Sequence, residues 1–319
     1  MSRFIALLFA LLSATAWAQD RFPERPIRLI LPFGAGGLAD VTFRLVAEKL
    51  TPLVGQQVIV ENHPGAGGVA AANAALGAKP DGHTLLVIAN GTAIASSLFK
   101  KLPYDPVKDL QPVSLVGWFD LLVLVRSDSP YRNLSDLVAA ARKNPGKLNF
   151  ATINPGSTQN LSAELFRSVA SIDVAIVPFK TSPDALTALI GVGGVDAVFE
   201  SYAAAKPLMT GGRMRALAST GDRRYGYLPE VPTAMQAGLE GYEVSGWNAI
   251  AAHPAVPKSV IAYLNKQVNA VVAVPEVKAR MLESGILAHA GKPEELRAQL
   301  VKDTAKWAAV IEKAGIPRQ

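Results

Sequence analysis

Short apolar runs alternate along this chain with stretches whose apolar residues recur every three or four positions, and the two periods predict strands and helices in turn. Residues 27–31, 57–61 and 84–89 read as strands, with helices over 41–50 and 69–77 between them. After a Pro-rich connection at 101–112 come two neighbouring apolar runs, 113–117 and 121–126. A helix over 134–143 follows, capped by Asn133 or Ser135 and stopped by Asn144-Pro145-Gly146. Strand and helix then alternate over 148–152, 161–169, 175–177, 185–190 and 197–200. Further strands are expected at 215–219 and 243–249, and the tail is helical over 258–273, 275–284 and 293–314. This alternation is the signature of an α/β fold. Two α/β units, joined near 117–120 and again near 242–246, leave the last helices on the first unit.

The N-terminal pattern is different. Arg3 gives a positive start, residues 4–12 form an apolar core of signal-peptide length, and Ala16-Trp17-Ala18 is a small-x-small cleavage site. The expected mature chain begins after Ala18, and no later apolar run is long enough to span a bilayer. The chain has 319 residues and no cysteine, which excludes disulfides, zinc–thiolate centres and thiol nucleophiles together. A chain of this size divides into two domains more often than not. Its formal charge of +6, or +5 once Arg3 leaves, is scattered, so no basic patch points to nucleic acid, while acidic small molecules are favoured.

Three glycine-bearing loops carry the candidate chemistry. The first, Phe33-Gly34-Ala35-Gly36-Gly37, breaks an apolar strand and opens a helix near Leu38, aiming unpaired N–H groups and a helix dipole at an anion above the strand. It also fits G-x-G-x-x-A, with Glu61 ending the next strand, so a dinucleotide site is available as a reading. Against that, Gly65-Ala66-Gly67-Gly68 repeats the pattern after the second strand, where a dinucleotide fold has no phosphate to hold. Tight strand-to-helix turns alone also account for such glycines. The third loop, Asn154-Pro155-Gly156-Ser157-Thr158-Gln159, holds in the second unit the place of the first loop in the first unit. Ser157 or Thr158 caps its helix, and two helix N-termini facing across a cleft would grip a carboxylate from both sides.

Together these segments resemble the substrate-binding proteins of tripartite tricarboxylate transporters, the Bug-type periplasmic receptors. The matching pieces are PIRLILPFGAGG at 26–37, VENHPGAGG at 60–68, KPDGHTL at 79–85, LPYDPVKD at 102–109 and GSTQNLSAELF at 156–166. VPFK at 177–180, GRMRALA at 212–218 and LPEVPT at 228–233 continue the match over nearly the whole mature chain.

The resemblance implies an α/β, two-domain periplasmic binding protein of the venus-flytrap type (type II). The signal would cover 1–18, the first domain 19–118 plus 247–319, and the second 119–246. The implied role is capture of a small organic carboxylate, mono- or dicarboxylate, aliphatic or aromatic, between the domains in the periplasm. The ligand would then pass to integral-membrane permease subunits, the receptor itself being a monomer without cofactor, metal or catalytic residues. Carried over position by position, the ligand site comprises Phe33, Gly34, Ala35 and Gly37 on one side and Ser157, Thr158 and Gln159 on the other. Asn90, Gly91 and Thr92, expected to end the third strand, resemble a further pocket segment, as do Phe179, Lys180 and Thr181, and Glu200 with Tyr202. Family members commonly have Tyr and Gly where Phe179 and Thr181 stand, Asp where Glu200 stands, and a basic residue in place of His63. Phe33, Phe179, Tyr202 and Trp247 would supply apolar walls. An exported hydrolase acting on a small carboxylate ester or amide is the alternative, but the four histidines show neither metal spacing nor a nucleophile beside them, and G-x-S-x-G is absent. A purely structural protein would leave the glycine loops unexplained.

Overall fold

The computed structural model describes residues 22–191, 194–224, 228–313 and 316–318. The expected signal at 1–18 lies outside the described residues. In the first part of the chain β1 (Ile27–Leu31), α1 (Leu38–Val54), β2 (Val58–Asn62), α2 (Val69–Leu76), β3 (Thr84–Ala89) and α3 (Asn90–Leu98) lead into the long β4 (Gln111–Arg126). Then come α4 (Leu134–Lys143), β5 (Asn149–Ile153), α5 (Thr158–Ala170), β6 (Ala175–Phe179), α6 (Ser182–Ile190), β7 (Ala197–Ser201), α7 (Tyr202–Thr210) and β8 (Met214–Ser219). The chain returns through β9 (Ser245–Ala252), α8 (Lys258–Ala273), α9 (Pro275–Glu283), β10 (Ile286–Ala288) and α10 (Pro293–Lys313).

The strands form one mixed sheet in the order β2-β1-β3-β9-β4-β7-β5-β6, with β8 and β10 also paired to β4. β4 is its spine. Its first part, Gln111 to Asp120, runs antiparallel to β9, and from Leu121 onward it pairs instead with β7 and β8. Here the pattern expectation of two separate runs is corrected. Residues 117–119 keep the ladder because β10 pairs Gly117, Trp118 and Phe119 on the side opposite β9. A side chain at Gly117 would come within 2.6 Å of Ile286, so only glycine admits β10 there.

Each half of the sheet has its own core. In the first half, Ile27, Leu29 and Leu31 of β1 pack with Phe43, Val46 and Leu50 along one face of α1 and with Leu264, Val268 and Val271 of α8. In the second, Phe166 meets Phe150, Phe199 and Tyr242 edge-on. α8 and α9 lie on the first half, as the pattern implied. α10 does not stay there: Leu296 and Leu300 join the first half's core beside Ile30 and Trp247, while Trp307 and Ile311 enter the second beside Phe166. Trp247 is therefore no cleft wall. It is fully buried and donates its indole N–H to Asp303 of α10 at 2.5 Å.

Two helices depart from expectation. α3 begins at Asn90 directly from the strand, so Asn90, Gly91 and Thr92 are the first turn of a helix rather than a strand end. α7 begins at Tyr202, with the Ser201 hydroxyl accepting from the Ala204 N–H.

Candidate functional site

The loop after β1 turns at Gly36, whose φ of +80° is a left-handed conformation that only glycine takes without strain. Its N–H is not free, as the sequence suggested, but donates to Asp40 Oδ2 at 3.0 Å. Asp40 also receives Asn62 Nδ2 at 2.9 Å and the Arg44 guanidinium at 3.0 Å, and Asn62 bonds the Phe33 carbonyl at 3.0 Å. Burial works against the Asp40 charge, yet Arg44, Gly36 and Asn62 together hold its carboxyl below the usual range. The loop is thus braced from behind. Gly37, the N-cap of α1, brings no capping side chain, so the first-turn N–H groups of Leu38 and Ala39 are left for whatever occupies the cleft they line.

Across from it, Gly156 (φ +82°) lets the chain turn from β5 into α5. The Ser157 hydroxyl caps α5 by accepting from Asn160 N–H at 3.1 Å and donates its proton to the Ile153 carbonyl at 2.8 Å. Thr158 donates to Asn90 Oδ1 at 2.5 Å, a bond between the two halves of the molecule. Both hydroxyl protons foreseen for a ligand are committed to the protein. The nitrogens they leave are more telling. Asn90 Nδ2 and Asn248 Nδ2, on side chains 0% and 1% exposed, have no hydrogen-bond partner. Asn248 lies on β9 between Ala89 and Gly117 of the flanking strands.

The two halves meet through glycines. A Cβ on Gly34 would fall 2.5 Å from Thr181 Cγ2, one on Gly37 2.9 Å from Ser182 Oγ, and one on Gly91 2.6 Å from the Gly156 carbonyl. Gly67 N–H also reaches the Pro155 carbonyl across the gap at 3.4 Å. Between these contacts lies a narrow cleft whose cavity volume is about 20 Å³, room for about one water molecule.

Of the expected site residues, Phe33, Gly34, Gly37, Thr158 and Gln159 line that cleft. Phe33, Gly91, Thr92 and Ser157 line an equally narrow adjoining one, whose remaining wall includes Gly65, Gly67 and Gly68 of the second glycine loop. Asn90 lies behind Thr158. Ala35 is exposed and lines neither cleft, and Phe179, Lys180 and Tyr202 are likewise outside both linings. Thr181 caps α6 through the Asp184 N–H and abuts Gly34. Glu200 is wholly buried behind Gln159, whose Nε2 donates to Glu200 Oε1 at 3.1 Å, and Ser201 N–H donates to the same oxygen at 2.6 Å. Burial pushes the Glu200 carboxyl up against the lowering effect of these bonds and of Ser182.

Asn248, Ser182, Phe119, Leu38 and Ala39 line the cleft without having been singled out from sequence. Asn248 left a trace there, as the one amide in the run 245–252 that otherwise reads as buried strand. Among the described residues no group of His, Asp or Glu is arranged to hold a metal ion.

The family model described as "Tripartite tricarboxylate transporter family receptor" matches residues 42–316. The fold superposes on the periplasmic binding protein BugD with a TM-score of 0.89 at 31% identity, covering 93% of this chain and 100% of that one. MatC (Rpa3494) from Rhodopseudomonas palustris, solved with bound malate, gives a TM-score of 0.86 at 33% identity over 91% and 100% of the two chains. R. palustris Rpa4515, solved with adipate, gives 0.89 at 30% identity over 93% and 99%. A two-lobed α/β fold, a glycine-lined cleft between its halves and these matches agree: the chain belongs to the tripartite tricarboxylate transporter receptor family and is a periplasmic solute-binding protein of that family, not an enzyme.

Proposed function

We propose that the cleft captures a small organic carboxylate and presents it, enclosed, to the membrane permease of a tripartite tricarboxylate transporter. The observation that carries this reading is the buried, unpartnered amide nitrogen of Asn248, in the lining it shares with Leu38 and Ala39 of an α1 N-terminus that has no side-chain cap, with a second such nitrogen on Asn90 behind Thr158. A buried donor left unpaired costs about 1–3 kcal/mol, and a charge-assisted bond to it contributes about 1.5–3 kcal/mol. An anion with several lone pairs therefore gains where a neutral apolar guest would leave the donors orphaned. Relatives that hold malate and adipate support the same chemistry.

The ligand-binding set is Phe33, Gly34, Gly37, Asn90, Gly91, Thr92, Ser157, Thr158 and Gln159, with Leu38, Ala39, Ser182 and Asn248 added. Ala35, Phe179, Lys180, Thr181, Glu200 and Tyr202 lie outside both linings, Thr181 against Gly34 and Glu200 behind Gln159. The two lobes are 19–118 with 247–319, and 119–246, joined through β4 and β9, with the C-terminal part of α10 packed into the second lobe's core. Closure follows from differential contact: a carboxylate docked on the first lobe meets the second lobe's groups only when the lobes shut.

Calorimetric titration with aliphatic and aromatic mono- and dicarboxylates, malate and adipate included, tests this. Binding of at least one acid, weakened tenfold or more in Asn90→Ala and Asn248→Ala, is the expected result. Heatless titrations with every acid, or acid binding indifferent to both substitutions, would refute it.

A further inference from the structure

The geometry points to Glu200 as a positioning residue that fixes which end of the Gln159 amide faces the guest, so that the cleft selects carboxylates bearing a hydroxyl beside the carboxylate. This rests on the carboxylate reading above and narrows it.

Glu200 Oε1 accepts the Ser201 backbone N–H at 2.6 Å and the Gln159 side chain at 3.1 Å. A backbone N–H can only donate, so Oε1 accepts it, and Gln159 turns its amide nitrogen to that same oxygen. With Nε2 drawn to the back wall, Gln159 has its carbonyl Oε1 to offer the cleft that it lines. The amides of Asn248, in the same lining, and of Asn90, behind Thr158, offer the opposite polarity. Asn90 Nδ2 and Asn248 Nδ2 are donors without partners, and Asn90 Oδ1 is already taken by Thr158. A bare carboxylate answers the donors and sets its own oxygens against the Gln159 carbonyl. A hydroxycarboxylate answers both, the carboxylate toward Asn248 and the hydroxyl proton toward Gln159. A site built to accept a hydroxyl proton rejects the analogue that lacks it, because its acceptor is then left unpaired. Glu200 touches no guest: it is fully buried, and acts only by holding the amide.

The test compares affinities, by titration calorimetry, within three hydroxy/deoxy pairs: malate and succinate, lactate and propionate, mandelate and phenylacetate, each hydroxy acid as both enantiomers. In the native chain one enantiomer of at least one pair binds about tenfold tighter than its deoxy partner, the worth of one well-made hydrogen bond. Glu200→Met, which removes the acceptor while nearly conserving volume, brings that ratio close to one. Glu200→Gln, whose side-chain carbonyl can take both donors, keeps it, a rescue that a merely structural or charge-based role would not show. Gln159→Met loses the ratio as well and carries the test should Glu200→Met not fold. Equal affinities within every pair, or binding of adipate alone, overturn the hydroxyl selection and leave the carboxylate reading standing. Absence of binding by every acid overturns both. A ratio kept in Glu200→Met or Gln159→Met, or lost in Glu200→Gln, overturns the positioning role.

Discussion

Asp81 holds its charge inside a ring of donors: the His83 N–H and ring each 3.0 Å from Oδ1, and the Arg25 guanidinium 2.8 Å from Oδ2. Burial works to raise its carboxyl, but the His83 N–H, Arg25 and the His83 ring outweigh it and hold the group at about 2. The unfolded chain takes up that proton at the ordinary carboxylate pKa, before the folded one does. The stabilisation is therefore complete above about pH 4 and fades as pH falls toward 2. Asp81→Asn is expected to melt about 2–4 °C below the native protein at pH 6, with the gap closing by pH 2; a gap independent of pH would show that the charge contributes nothing. Glu200 runs the other way. Its buried carboxyl holds a proton more tightly folded than unfolded, so folding loses stability as pH rises above the ordinary range. Glu200→Gln removes that loss, and its melting temperature relative to the native chain is expected to climb between pH 4 and pH 8, which a pair of thermal melts decides.

Gly91 stands in the first turn of α3, where alanine would ordinarily favour the helix by about 0.5–1 kcal/mol. Its missing Cβ would instead lie 2.6 Å from the Gly156 carbonyl of the other half, an atom fixed by backbone. Gly91→Ala is therefore expected to leave the ligand-free melting temperature equal or higher while weakening acid binding tenfold or more; unaltered affinity would mean that the halves need not touch there. At this scale much was legible. β1, β3, α4 and α8 have the bounds that periodicity gives them, because each carries a clear apolar rhythm and a local stop. Asn133 caps α4 by accepting from the Asp136 N–H, and its own N–H donates to the Asp136 carboxylate, a purely local exchange. α3 and β10 were not legible. Asn90-Gly91 reads as the end of β3 but opens a helix whose first turn the other half packs against. Three residues of β10 are a strand only because β4 offers an unpaired edge.

Across the molecule, the two halves are tied by β4, β9 and the C-terminal helix α10. Trp307 is 2% exposed and packs into the second half's core, while Leu296 and Leu300 of the same helix sit in the first half's. Trp307→Ala empties a large core position and is expected to cost about 3–5 kcal/mol in chemical denaturation. A loss below about 1 kcal/mol would show that α10 is only laid on the surface. Because α10 bridges both cores, its bend or slide has to accompany any opening of the cleft. Small-angle scattering is expected to give a smaller radius with bound acid than without, and identical profiles would mark a site that binds without closing.

The sequence by itself determined the α/β alternation, the glycine loops at strand ends and the family, since each is written in local spacing, capping residues and short motifs. Only the tertiary structure decided that the Thr158 hydroxyl is spent on Asn90, that Asn248 faces the cleft, and that Glu200 stands behind Gln159. Those facts depend on which partners a side chain meets from residues tens to hundreds of positions away. Hydrogen-bond polarity at a site is settled by such long-range pairing, and no period or motif along the chain records it.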